Sequence, residues 1–172
     1  AALAGPDGPE KEAAAALLLI RKTGFRVGSE EDRGTEHKAL GATTLSADNV
    51  KIAGDEVSFD FVGKHGVKIQ QTVKDAELAK MLAPRVANGG KLFATNEDKV
   101  GATLKGMVGT SFKTKDLRTV TAATEALHAI ADLPAPKTEA EFKARRLDVG
   151  EVVGKKLGHA VAKGRIGKMA LD

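Results

Sequence analysis

"NVKIAGDEVSFDFVGKHGVKIQQTVK", residues 49–74, decides how the chain is read. Its apolar residues alternate with polar ones in three short runs. Val50 and Ile52 share a side in the first run. Val57, Phe59 and Phe61 share a side in the second, with Glu56, Ser58 and Asp60 opposite. Val67, Ile69 and Val73 share a side in the third. A period of two places alternate side chains on opposite faces of a strand, so each run reads as a strand with one buried face. The connections, Gly54-Asp55 and Gly63-Lys64-His65-Gly66, are short and rich in turn residues. The stretch predicts a three-stranded antiparallel meander.

On either side of it the pattern is helical. "EKEAAAALLLIRK" is a strong helix former, started by Pro9 and stopped by Gly24. "FRVG" follows, then "SEEDR", in which Ser29 and Asp32 have the spacing of a helix N-cap box. After the strands, "DAELAKMLAPRVAN" puts Leu78, Met81 and Leu82 on one side, with Pro84 disturbing the run. "NEDKVGATLKGMVG" is a weaker helix containing glycines. "TKDLRTVTAATEALHAIADL" carries a stripe of Leu117, Val120, Ala123, Leu127 and Ile130. "LPAPK" breaks it. "TEAEFKARRLDVGEVVGKKLG" resumes, with Phe142, Val149, Val153 and Leu157 expected to face the core. The predicted class is α+β, mostly α, with one small sheet near its start and a Gly/Pro-rich, flexible lead-in over residues 1–9.

Composition narrows the chemistry. The chain has 172 residues, enough for one domain with a real core. It has no Cys, which removes disulfides, thiolate metal sites and cysteine nucleophiles. It has no Tyr and no Trp, and its 3% aromatics are all Phe, so the core must be aliphatic. The net charge of +4 and pI of about 9.3 are compatible with DNA but do not argue for it. The apolar run Ala13–Ile20 is too short to span a bilayer and sits between Glu12 and Arg21, so helix packing explains it. "GxxxxGK[ST]" and "GxSxG" are both absent.

Four basic residues occupy special places. Arg26 lies between apolar Phe25 and Val27. Lys64 lies in the second turn of the meander. Arg118 opens a long helix beside Leu117. His159 follows a glycine at a helix end. Singly, each has a plain structural reading: a solvated helix-start arginine, a solubilising turn lysine, a surface or C-cap histidine. Together they suit a phosphodiester. Arginine forks pair bidentately with phosphate oxygens. Two of them plus a histidine donor would neutralise the extra charge of a phosphorane transition state. A lysine on a turn can protonate a leaving alkoxide. No Asp/Glu cluster with metal-ligand spacing accompanies them, so no metal and no other cofactor is expected.

These residues sit in segments that resemble the catalytic domain of type IB DNA topoisomerases, of the compact viral and bacterial kind. "FRVG" (25–28) is similar to the segment of the first catalytic arginine, and "LGATTL" (40–45) to the lead into the small sheet. "FVGKHGV" (61–67) resembles the hairpin of the general-acid lysine, and "KDLRT" (115–119) the helix start with the second arginine. "LPAPKT" (133–138) resembles the loop after that helix, and "VVGKKLGH" (152–159) the helix end with the catalytic histidine. The order along the chain agrees.

The resemblance implies that Arg26, Arg118 and His159 bind the scissile phosphate. It implies that Lys64 protonates the departing 5′-oxygen, and that a tyrosine attacks phosphorus to hold the 3′ end while duplex DNA rotates. The partner implied is double-stranded DNA, engaged by a monomer, with no membrane; the location implied is cytoplasmic, in a bacterial nucleoid or an infected cell.

The departure is the nucleophile. The family places its tyrosine two to three helical turns of chain after the histidine, and "AVAKGRIGKMALD" (160–172) holds none. Residues 10–159 are therefore expected to form the catalytic domain. Residues 160–172 are expected to be a linker toward a tyrosine beyond Asp172, and the chain alone is expected to be inactive. The family's N-terminal clamp lobe is also missing, and Leu40 stands where an aromatic is common. Two other readings stay open. A tyrosine recombinase shares the fold and the Arg–Lys–His chemistry, but usually has His-x-x-Arg where this chain has Lys115 before Arg118. A catalytically dead DNA-binding module would use the same cleft for phosphate contacts alone.

Overall fold

The computed structural model describes residues 8–29 and 39–158. The lead-in up to residue 7, the Asp32 half of the expected N-cap box, His159 and the linker over 160–172 lie outside the described residues.

Helix α1 (Pro9–Thr23) is the axis of the fold. Proline stands in its first turn, Glu10 and Glu12 lie near its N-terminus, and Arg21 and Lys22 near its C-terminus, so its charges oppose the helix dipole. Gly24 ends it in the left-handed conformation, its N–H donating to the Ile20 carbonyl. Ala13–Leu17, Leu19 and Ile20 are buried on every side. The small alanines among them let α3, α4 and α2 all pack against one helix.

The meander forms as the alternation predicts. Strands β1 (Val50–Ala53), β2 (Glu56–Val62) and β3 (Lys68–Lys74) pair antiparallel in the order β1-β2-β3. Val57, Phe59 and Phe61 of the central strand are buried. Phe25, just past α1, meets Phe59 and Phe61 edge-to-face, with ring centroids 5.0 and 4.9 Å apart. One aromatic residue thus fixes the exit of α1 to the sheet.

Helix α2 (Ala76–Asn88) follows, capped by Asp75, whose carboxylate accepts from the Leu78 N–H at 2.9 Å. Pro84 sits inside it without breaking it. Helix α3 (Glu97–Val108) is capped in the same way by Asn96. Arg85 locks these parts together. Its guanidinium meets Glu12 of α1 with both nitrogens, at 2.7 and 2.6 Å, donates to the Leu92 carbonyl at 2.9 Å, and lies 5.0 Å from the centre of the Phe93 ring. The Ala94 N–H also donates to Glu12, at 2.9 Å.

Helices α4 (Thr114–Ala131) and α5 (Glu139–Lys156) pack against each other and reach the core only at one end. Here the structure corrects the sequence reading. Val120 is 61% exposed, Leu127 63% and Phe142 53%, and Ile130 is exposed as well. In α4 only Thr121 is buried, with Leu117 packed against the core; in α5 burial is confined to Gly150, Val153 and Gly154, with Leu157 just past the helix. Periodicity identified a shared face, but no described part of the chain covers most of it. None of the described helices is long and apolar enough to cross a membrane.

Candidate active site

The segments that carry the candidate residues converge where the α4–α5 pair meets the core. "FRVG" leaves α1 and lies against "LGATTL". The Ala42 N–H donates to the Arg26 carbonyl at 2.8 Å, and the Thr43 N–H to the Val27 carbonyl at 2.8 Å. The Thr43 hydroxyl caps both Val27 and Gly28 carbonyls at 3.0 Å. The backbones touch: a Cβ built on Gly41 would stand 2.5 Å from the Gly28 nitrogen and 2.8 Å from the Arg26 carbonyl oxygen. Gly41 is glycine because another main chain occupies the space its side chain would need. The Leu40 N–H then donates to Val62 at the end of β2. The backbone that carries Arg26 is held on two sides, while its side chain is exposed.

Arg118 projects from α4 into the seam. It donates to the Gly24 carbonyl at the end of α1 and, at 3.2 Å, to the Leu157 carbonyl at the end of α5. Two helix C-termini thus present their partial negative charge to one guanidinium. Around it, Leu157 and Thr121 close over Gly24: a Cβ there would stand 2.8 Å from Leu157 Cδ2 and 3.2 Å from Thr121 Cγ2. The Thr121 hydroxyl bonds the Leu117 carbonyl at 3.0 Å. Burial, and then the positive charge of Arg26, push the Arg118 guanidinium down to about 10. It stays charged at neutral pH, and the two arginines are close enough to repel. An anion placed between them removes that repulsion, which is the electrostatic property a phosphate-binding site needs.

Lys64 lies in the turn between β2 and β3, exposed to solvent. The turn has a defined shape. The Gly63 N–H donates to the Val67 carbonyl at 2.8 Å, the Gly66 N–H to Gly63 at 3.2 Å, and His65 adopts the left-handed conformation at φ 63°. The turn faces the end of α5 across Ile69. Histidine 159 lies outside the described residues; Gly158, immediately before it, packs on Ile69 of β3.

Three of the four candidates therefore lie on segments joined by one packed cluster. Phe25 precedes Arg26 and touches Phe61; Phe61 faces Ile69 in the β2–β3 register; Leu117 precedes Arg118. Sequence reading missed the groups that hold them: the Gly24 and Leu157 carbonyls, and Ile69. The first two carry no side-chain signal. Ile69 was visible only as one apolar position of a strand. Among the described residues no cluster of His, Asp or Glu is placed to hold a metal ion.

The chain matches a known family. The family model described as eukaryotic DNA topoisomerase I, catalytic core, aligns with residues 3–163. A comparison with curated proteins gives no match.

Proposed function

Because the chain belongs to the family of the eukaryotic DNA topoisomerase I catalytic core, a type IB topoisomerase family that acts on DNA, we propose that it relaxes supercoiled duplex through a 3′-phosphotyrosyl intermediate. The observation that carries this reading is Arg118, held between two helix ends with Arg26 beside it.

In this mechanism the two arginines, with His159, grip the non-bridging oxygens of one phosphate. Their attraction grows as the phosphorus becomes pentacoordinate and its oxygens gain charge. A tyrosine hydroxyl attacks phosphorus in line with the 5′-oxygen and gives its proton to solvent. The bond to that oxygen breaks, Lys64 gives it a proton, and the 3′-phosphate stays on the tyrosine. The freed strand end turns about the intact strand. The 5′-hydroxyl then attacks the phosphorus of the phosphotyrosine, its proton returns to Lys64, and the tyrosine oxygen leaves and regains a proton from solvent. The energy of the broken ester is kept in the covalent bond, so the cycle needs no nucleotide. The chain contains no tyrosine; in this reading the nucleophile lies outside these 172 residues, and the 172-residue chain alone does not cleave DNA. The protein acts as a monomer.

The test is a covalent trap. The full-length protein is mixed with labelled duplex in EDTA, quenched with SDS, and examined for a protein–DNA adduct. The reading requires an adduct that maps to a tyrosine. Binding without an adduct would make the chain a DNA-binding module instead.

A further inference from the structure

Two glycines in this molecule directly precede candidate catalytic residues: Gly63 before Lys64, and Gly158 before His159. They lie 95 positions apart in sequence and press on the same methyl group. A Cβ on Gly63 would stand 2.8 Å from Ile69 Cδ1 and 3.6 Å from its Cγ1; a Cβ on Gly158 would stand 2.9 Å from both atoms. The backbone at Gly63 does not itself ask for glycine: φ is −94° and ψ −165°, an extended conformation open to any residue. What excludes a side chain there is Ile69. Gly158, at φ +62°, needs glycine for its conformation as well.

Ile69 is only half-buried, and its neighbours in the strand, Lys68 and Gln70, point to solvent. Across the β2–β3 ladder it faces Phe61, which packs on Phe25 beside Arg26. One side chain therefore stands between the turn that carries Lys64, the end of α5 and the aromatic pair behind Arg26. Arg118 ties down the same end of α5 through the Leu157 carbonyl, one residue before Gly158.

We propose that Ile69 is a positioning residue for the general acid: its Cδ1 methyl sets the spacing between the Lys64 turn and the C-terminal end of α5. This rests on the strand-cleavage reading above. With the methyl removed, the turn moves toward the helix end, and the Lys64 ammonium leaves the line of the departing oxygen. Binding does not change, because the arginines that grip the phosphate are held by other contacts. The loss is confined to the step that needs a proton.

The test uses full-length protein and two duplex substrates: the natural 5′-oxygen ester, and one with a better leaving group at that position, which departs without a proton. Cleavage is measured in single turnover at saturating DNA, with affinity measured separately. Ile69→Ala is expected to slow cleavage of the natural ester by about tenfold to a hundredfold, the scale of a misplacement near 1 Å, to leave affinity unchanged, and to match wild type on the activated ester. Gly63→Ala is expected to slow the natural ester in the same way, and Ile69→Val, which deletes Cδ1, to restore the rate when combined with it. Ile69→Val also keeps the strand β-branched, so it remains informative if the alanine variant fails to fold.

Equal losses on both esters, or a loss of affinity that follows the rate, would reduce Ile69 to a fold residue. Failure of Ile69→Val to relieve Gly63→Ala would have the same meaning. Lys64→Ala separates the two claims. If the activated ester rescues Lys64→Ala but not Ile69→Ala, positioning alone fails; if it rescues neither, the general-acid role of Lys64 fails with it.

Discussion

The two halves of the molecule are built differently. In the first, α1 packs against α2 and α3 as well as against α4, and Ala13–Leu17, Leu19 and Ile20 are almost fully buried. In the second, α4 and α5 lean on each other and present Val120, Leu127, Ile130, Phe142, Leu147 and Val152 to solvent. The halves meet along a narrow seam of Gly24, Leu117, Thr121, Val153 and Leu157, with Arg118 bonded across it. The candidate site lies on that seam. The half with the larger buried core supplies the backbone that carries Arg26 and Lys64, and the more exposed half supplies Arg118 and the helix end before His159. Geometry that has to be shared between two parts is held by a few polar and glycine contacts, while bulk hydrophobic burial is left to one of the parts.

Substitutions can sharpen the contrast. The largest stability effect is expected at Phe25. Phe25→Ala removes a fully buried ring that joins α1 to the sheet and should lower unfolding free energy by about 4 kcal/mol, whereas Leu127→Ala, at 63% exposure, should change it by no more than about 0.5 kcal/mol. Chemical denaturation of the two variants checks this; similar losses would mean that the α4–α5 face is covered in solution. Next comes Arg85. Arg85→Ala takes from the Glu12 carboxylate its two-pronged partner and from the Leu92 carbonyl its donor, a loss of about 2 kcal/mol measurable in the same experiment.

The smallest effect is one of pH. The hydrogen bond from Lys22, at 2.5 Å, and then the Leu78 N–H hold the Asp75 carboxyl below its ordinary value of 3.8. A depressed carboxyl pKa contributes stability that is fully present above 3.8 and is lost as pH falls through the lower folded-state value. The Tm gap between wild type and Asp75→Asn should therefore be open at neutral pH and close in acid below that range. A gap that stays constant would place the contribution of Asp75 in packing instead of charge.

Most of the fold was legible, for identifiable reasons. Strands β1–β3 announced themselves because burial on one face imposes a period of two, and α1 because Pro9 and Gly24 bracket an alanine–leucine run. The exposure of Val120, Leu127 and Phe142 was not legible. A helical period says which residues share a face, and only tertiary structure says whether anything covers it. The Glu12–Arg85 lock joins positions 73 residues apart and leaves no local trace. At the site, the basic residues could be picked out by type and order, yet the carbonyls that aim Arg118 belong to Gly24 and Leu157 and carry no side-chain signature. Ile69 was hidden because its importance lies in two glycines that lack a side chain on its account.

The most direct test of the seam as the site is Arg118→Ala in the full-length protein. At saturating duplex its single-turnover rate of adduct formation should fall by about a hundredfold or more, with DNA affinity nearly unchanged, and Arg118→Lys, which restores charge without the fork, should recover only part of the rate. Equal losses of rate and affinity would show that Arg118 merely anchors DNA or the helix ends, and would contradict its role in the transition state.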